Sequence, residues 1–188
     1  RLIIMWGLNP SESIFGTNNN YYLAQAKERG ARFIFVDPRF TDSAAALADQ
    51  WIPIIPGADT AMLIAMAAVM IQEGLYDEGF LSKYTCGFEK FRDYCLGVTD
   101  GVPKTPFWAE AFCGVKAEVI AGLAREYAAS KSANLMGGWS PGRTAFGEQF
   151  HRACIALAAM TGNIGKMGGG PGCWISRNFN HALGVSTM

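Results

Sequence analysis

Arg1-Leu-Ile-Ile-Met-Trp-Gly-Leu-Asn-Pro10 decides how the chain is read. Leu2 to Met5 is a short apolar run, the pattern of a buried strand, and it stops at the turn residues Trp6-Gly7 and Asn9-Pro10. A polar stretch from Ser11 to Asn20 leads into a helical pattern from Tyr21 to Arg29. Strand, tight glycine turn and helix open a mononucleotide-binding unit. Such a turn presents backbone N–H groups and small side chains beyond the strand's carboxyl end, where an anionic phosphate can come close. The dinucleotide fingerprint G-x-G-x-x-G is absent. Taken alone, W-G-x-N-P is equally compatible with a plain strand-to-helix turn.

Outward from this stretch, Gly30 reads as the glycine that ends the first helix. Arg32-Phe-Ile-Phe-Val36 is a second strand, aromatic and β-branched, that runs into Asp37-Pro38-Arg39. An acid at the end of strand two of a nucleotide-binding unit can accept hydrogen bonds from a ribose hydroxyl. Arg39 is placed to reach a phosphate or to pair with Asp37, and a surface turn with a local Asp–Arg pair is the simpler alternative. Thr41 to Asp49 is a short alanine-rich helix, and Trp51-Ile-Pro-Ile-Ile55 an edge-like strand because Pro53 lacks a donor. Pro56-Gly-Ala-Asp59 turns into an apolar helix from Thr60 to Gln72. Asp59 is a helix N-cap by type and position. Alternatively its two oxygens face a ligand, where they match the N1–H and N2–H₂ donors of guanine.

Leu75 to Phe112 is helical in pattern but broken by glycine and proline, and its aromatics read as packing. An amphipathic helix follows over Lys116 to Ala129, with Val119, Leu123 and Tyr127 in line, then a fourth strand over Ser132 to Met136. Gly137-Gly-Trp-Ser-Pro-Gly-Arg143 is a second glycine-rich loop at a strand's carboxyl end, followed by a helix from Ala145 to Met160. Right-handed crossovers give the strand order 3-2-1-4, which puts both loops at the switch point where a crevice lies. The segment Gly162 to Gly172 holds six of the 22 glycines. It has little core of its own and reads as a ligand cradle or as a surface covered by a neighbouring part of the protein. The expected fold is a three-layer α/β sandwich around a doubly wound, mostly parallel Rossmann-like sheet, with additional flanking helices.

Composition narrows the possibilities. A chain of 188 residues, half of them hydrophobic, is long enough for one α/β domain with a full core. Sixteen basic residues balance sixteen acidic ones, so no charge excess points to nucleic acid or an anionic membrane. The longest apolar run, Ala61 to Ile71, falls short of the ~20 residues of a membrane span. Cys86, Cys95, Cys113, Cys154 and Cys173 form no C-x-x-C and read as free, mostly buried thiols. His151 and His181 have no neighbouring ligand pattern. The chain opens inside a strand without an initiator Met, which reads as a piece of a longer parent: a domain over 1–172 and a tail over 173–188.

Several segments occur together in one order: Trp6-Gly7-x-Asn9-Pro10, Asp37-Pro38-Arg39, Ala48-Asp-Gln-Trp-Ile52 with Pro56-Gly-Ala-Asp59, Gly138-Trp-Ser-Pro-Gly-Arg143, and Gly162-Asn-Ile-Gly165. In that order they resemble the α/β middle domain of the molybdopterin oxidoreductases of the dimethyl sulfoxide reductase family, above all the catalytic chains of the anaerobic dimethyl sulfoxide reductases. The resemblance covers residues 1 to 172. It implies a parent enzyme with molybdenum bis(molybdopterin guanine dinucleotide) that reduces S-oxides or N-oxides by two-electron oxygen-atom transfer. Carried over by position, Trp6, Gly7, Leu8, Asn9, Pro10, Ser11, Glu12 and Ser13 contact the dinucleotide phosphates and ribose. Val36, Asp37, Pro38, Arg39 and Phe40, with Gly57, Ala58 and Asp59, contact the nucleoside end. Gly138, Trp139 and Arg143 lie near the pterin and phosphates. Relatives often have Gln at Gly142 and Thr at Ala58, and the first departure removes any side-chain contact at 142.

The resemblance also implies what lies elsewhere: the molybdenum ligand, an iron–sulfur cluster, and the second dinucleotide-binding domain. No cysteine here has cluster spacing. With those parts elsewhere, the resemblance implies neither a catalytic residue, a metal ligand nor a bound cofactor in this chain alone. The implied partners are the remaining domains of the parent, an iron–sulfur electron-transfer subunit and a membrane anchor subunit, with no nucleic acid and no direct membrane insertion. The implied location is the bacterial periplasm or its membrane surface. Two other functions compete. A molybdenum-free structural domain of an electron-transfer subunit could keep the fold and lose the ligand, and Asn9, Asp37, Arg39 and Asp59 weigh against it. An NAD-linked dehydrogenase is disfavoured by the missing glycine fingerprint.

Overall fold

A computed structural model describes residues 1–13 and 18–171. Its centre is β1 (Leu2–Trp6), flanked in parallel by β2 (Arg32–Val36) and β4 (Ala133–Gly137). The edge strands β3 (Gln50–Ile52) and β5 (Gly170–Pro171) complete an all-parallel sheet of order β3-β2-β1-β4-β5. The register sets Leu2 beside both Arg32 and Ala133, and Trp6 beside both Val36 and Gly137. Three carboxyl ends therefore finish level.

Alternation along the strands divides the core in two. Leu2, Ile4, Trp6, Ile34, Val36 and Leu135 face the thick layer. That layer holds α3 (Asp59–Gln72), α4 (Glu78–Tyr84), α5 (Phe88–Cys95), α6 (Pro106–Cys113), α7 (Ala117–Ala129) and α8 (Glu148–Met160). Met5, Phe33 and Phe35 face the thin layer of α1 (Asn19–Glu28) and α2 (Asp42–Leu47). The expected sandwich is thus present, with unequal slices. α3 is hydrophobic almost all round because it lies under the sheet and beneath α6, α7 and α8.

Two expectations change. Asp59 is not a helix N-cap: Ala58 holds that position without a side-chain bond, and Asp59 is the first helical residue. The glycine-rich segment after α8 is also less loose than its composition suggests. Asn163, fully buried, accepts from the Ala133 N–H through Oδ1 at 3.3 Å and donates through Nδ2 to Thr161 Oγ1 at 2.7 Å. This pins the segment to β4 and lets Gly170–Pro171 add a fifth strand. The part of the tail beyond residue 171, with Cys173 and His181, lies outside the described residues.

Cys95, Cys113 and Cys154 are buried free thiols and Cys86 is exposed. Burial pushes the Cys95 thiol up to about 12, so it packs rather than reacts. No helix among the described residues is long and apolar enough to cross a membrane, and none of their His, Cys, Asp and Glu side chains cluster as a metal site.

Candidate functional site

The crevice opens where the chain leaves β1 and β4. Gly7 turns off β1 at φ +57, a left-handed conformation that suits glycine, while its N–H still reaches Val36 O at 2.8 Å. Gly138 turns off β4 with its N–H on Trp6 O at 2.7 Å. The two turns touch: a Cβ at Gly138 would lie 1.9 Å from Gly7 O, and one at Gly7 would lie 2.7 Å from the Pro141 ring. Ser140 Oγ adds a bond to Gly7 O at 3.1 Å. Gly138 has to be glycine because it meets the Gly7 backbone, and Gly7 because its left-handed turn lies against the Pro141 ring.

Between them lies a cavity of about 340 Å³ lined by Gly7, Leu8, Asn9, Ser13, Trp139, Ser140 and Arg143. Its polar side chains are those of Asn9, Ser13, Ser140 and Arg143, with the Trp139 indole. The Arg143 guanidinium stands 5.7 Å over the Trp139 ring, a cation–π contact that leaves its N–H groups available. Asn9 is 8% exposed and held by its carbonyl side: Ser43 Oγ donates to Asn9 Oδ1 at 2.6 Å. Asn9 Nδ2 is buried and has no partner. A buried amide donor left unmatched costs roughly 1–3 kcal/mol. Groups of this kind mark places where an acceptor belongs.

The other candidates adjoin this cavity without lining it. Asp37, at the end of β2, is 7% exposed and accepts the Arg39 N–H at 2.9 Å. Burial raises its carboxyl above the usual value, the Arg39 N–H and charge pull it back, and Asp59 and Glu12 push it up further. The Arg39 guanidinium does not pair with Asp37. It meets exposed Glu12 at 3.2 Å, an exchangeable surface pair. Pro38 and Phe40 are exposed, and Phe40 packs edge-on against Trp51 at 5.4 Å. Trp51 donates its indole N–H to Asp37 O at 2.9 Å, tying the edge strand to the end of β2.

Asp59 is buried behind Trp6. Trp6 Nε1–H donates to Asp59 Oδ1 at 2.8 Å and the Gly57 N–H to Oδ2 at 3.2 Å. Among the described residues no cation faces it, so two N–H dipoles and the start of α3 carry its charge. Gly57 in turn sits near Thr144, which brings the Pro56–Asp59 turn against the loop after β4.

The structure therefore gathers Gly7, Leu8, Asn9, Ser13, Trp139 and Arg143 around one cavity. It sets Val36, Asp37, Pro38, Arg39 and Phe40 to one side, and Gly57, Ala58 and Asp59 behind β1. Gly138 is the contact between the loops, while Trp6 and Pro10 are buried beneath them. Sequence reasoning missed Ser43, Ser140 and Trp51, whose contacts are all long-range. The space that a side chain at Gly142 would enter holds His151, with Nε2 2.4 Å from the Cβ position. Burial lowers the pKa of that imidazole, which favours its neutral form.

Comparison with known proteins gives this geometry a context. The chain is 43% identical over 187 residues to dimethyl sulfoxide reductase DmsA of Escherichia coli K12, covering 92% of this chain and 23% of that protein. It is 39% identical over 177 residues to trimethylamine-N-oxide reductase of Haemophilus influenzae, covering 91% and 21%. Among solved structures, acetylene hydratase from Pelobacter acetylenicus shares the fold at a TM-score of 0.63, with 24% identity over 85% of this chain and 20% of that one. The chain thus spans less than a quarter of the length of these relatives. The model of the molybdopterin oxidoreductases matches residues 1–185, through both loops and every strand. On that match, the chain belongs to the molybdopterin oxidoreductase family.

Proposed function

We propose that this chain is the cofactor-binding α/β domain of a molybdenum oxidoreductase that reduces S-oxides or N-oxides, and that its crevice receives the diphosphate of a molybdopterin guanine dinucleotide. The observation that carries the reading is that Asn9, whose buried Nδ2 has no partner, lines a cavity together with Ser13, Ser140 and Arg143. This donor set suits phosphate oxygens, and its position at the switch point of a parallel sheet supports the same reading. A domain that had lost its ligand would have no use for a buried unmatched donor.

When bound, the cofactor supplies two-electron oxygen-transfer chemistry at molybdenum, and this chain's residues supply binding and orientation. Asn9, Ser13 and Arg143 hold the phosphates. Asp37 accepts from a ribose hydroxyl. Asp59 uses one lone pair on each oxygen for Trp6 and Gly57, and the second on each matches the two donors of guanine. The rest of the parent supplies the molybdenum ligand, an iron–sulfur path and the second dinucleotide domain. An iron–sulfur subunit and a membrane anchor are the partners proposed, at the periplasmic membrane surface.

Calorimetric titration of the 188-residue chain with GDP and ADP tests this. GDP should bind more tightly than ADP, and Asn9→Ala should weaken both. Equal affinities, or no binding of either, would overturn the reading. With dimethyl sulfoxide and a reduced viologen dye, the chain alone should turn over nothing.

A further inference from the structure

A second cavity, of about 320 Å³, opens between α8 and the corner where α4 gives way to α5, and it shares no residue with the crevice. Leu81, Phe88, Phe91, Ile155, Ala159 and Met160 give it apolar walls, and Arg152 is the one charged residue that lines it. α8 already turns Phe150, Cys154, Leu157 and Ala158 into the core. Arg152, Ile155, Ala156 and Ala159 follow the same helical spacing on the opposite face, where Ile155 and Ala156 stay only half-buried. A helix that is apolar on a second face has a second surface to cover.

Arg152 is exposed and has no ion pair. Every Asp and Glu of the chain lies among the described residues, and none pairs with it, Glu148 one turn earlier on α8 included. Residues 14–17 and 172–188 contain neither Asp nor Glu, so they hold no side-chain carboxylate for it. An apolar cleft with an unpaired guanidinium fits a partner that carries a carboxylate beside an apolar side chain. The side chain fills the cleft, and the carboxylate takes two parallel N–H bonds from the guanidinium. The relatives point to the source. This chain spans less than a quarter of their length, so most of such a protein lies outside these residues.

We propose that this cleft is an interaction surface for a segment of the parent protein outside these 188 residues, one that sets an apolar side chain between α5 and α8 and an Asp or Glu against Arg152. The proposal rests on the reading of the chain as part of a longer parent. The cleft carries its own reporter. Cys86 lines it and is exposed, while Cys95, Cys113 and Cys154 are buried.

The test is iodoacetamide labelling of Cys86, read by peptide mass spectrometry, in the 188-residue chain and in the full-length parent. In the parent, Cys86 should label at least about tenfold more slowly than in the chain alone, because only molecules with the cleft uncovered react. Arg152→Glu in the parent sets like charges against each other and should return most of that rate. Arg152→Lys keeps the charge and should stay protected. Thermal melts of both variants check that they fold. Equal labelling of chain and parent, or protection that survives Arg152→Glu, would overturn the proposal. Protection in the chain alone that grows with its concentration would overturn it too, by assigning the cleft to a second copy. A coding sequence that ends with these 188 residues would instead overturn the parent on which the proposal rests.

Discussion

A buried carboxylate with no cation against it among the described residues is unusual, and at Asp59 Trp6 and Gly57 point N–H groups at the carboxylate instead. Trp6→Phe removes one of those groups and leaves space where the larger ring was. It should cost on the order of 2–4 kcal/mol, from the orphaned charge and the cavity together. Adding Asp59→Asn should return part of that loss, because an orphaned amide costs less than an orphaned charge. Urea denaturation of the two single variants and the double variant measures the coupling, and strict additivity would contradict a direct Trp6–Asp59 bond. Asp37 presents the opposite case. Burial raises its carboxyl above 3.8, so the folded chain keeps that proton to a higher pH than the unfolded chain does. The folded state binds more protons in that window, and the contribution of Asp37 to stability falls as pH rises from about 4 through the folded value. Asp37→Asn removes this dependence and can still accept the Arg39 N–H. The stability difference between variant and parent should therefore grow in the variant's favour from pH 4 toward neutrality. A difference that is flat or moves the other way would show that burial does not dominate at Asp37.

Among the elements, the two loops after β1 and β4 define the site, and they are close enough for single methyl groups to matter. Gly138→Ala would drive a Cβ into the Gly7 carbonyl at 1.9 Å, where backbone cannot yield. Gly142→Ala would meet only the His151 ring at 2.4 Å, the end of a side chain that can swing away. The first should fall at or beyond the upper end of the ~1–3 kcal/mol range for overpacking, and the second near its lower end. Equilibrium unfolding of the two variants checks the order, and a Gly142→Ala as damaging as Gly138→Ala would contradict it. These loops were legible in the sequence because a short apolar run followed by clustered glycine is a local signal. β5 was not: Gly170–Pro171 has no apolar pattern, and its approach is tied to the start of β4 by Asn163 and by the Ser132 hydroxyl on Met167 O. Asp59 sits at the place its sequence suggested but in a different role, because its partner Trp6 lies 53 positions away. Ser43 had no signal at all, since its bond to Asn9 depends on the loop after β1 arriving beside α2.

For the whole molecule, the sheet order followed from crossover handedness and the layers from alternation, which are the general rules of the fold. What those rules could not supply is the placement of the thick layer's small helices and the internal satisfaction of the polar groups. The strand register has a further consequence, for the order in which the molecule assembles. Residue 2 pairs with residue 32 on one side and with residue 133 on the other. The first pairing closes a short loop through α1, while the second waits for α2 to α7 to be laid down. Closing the longer loop costs about 1.3 kcal/mol more chain entropy by the logarithmic rule. Contacts so distant in sequence are the slow ones in folding. The first half of the site, with Asn9, Ser43 and Asp37, can therefore form around β1 and β2 while Trp139 and Arg143 are still absent. A nucleotide that needs both loops finds no complete site on a half-folded chain, and it can favour only the molecule in which the last central pairing has closed.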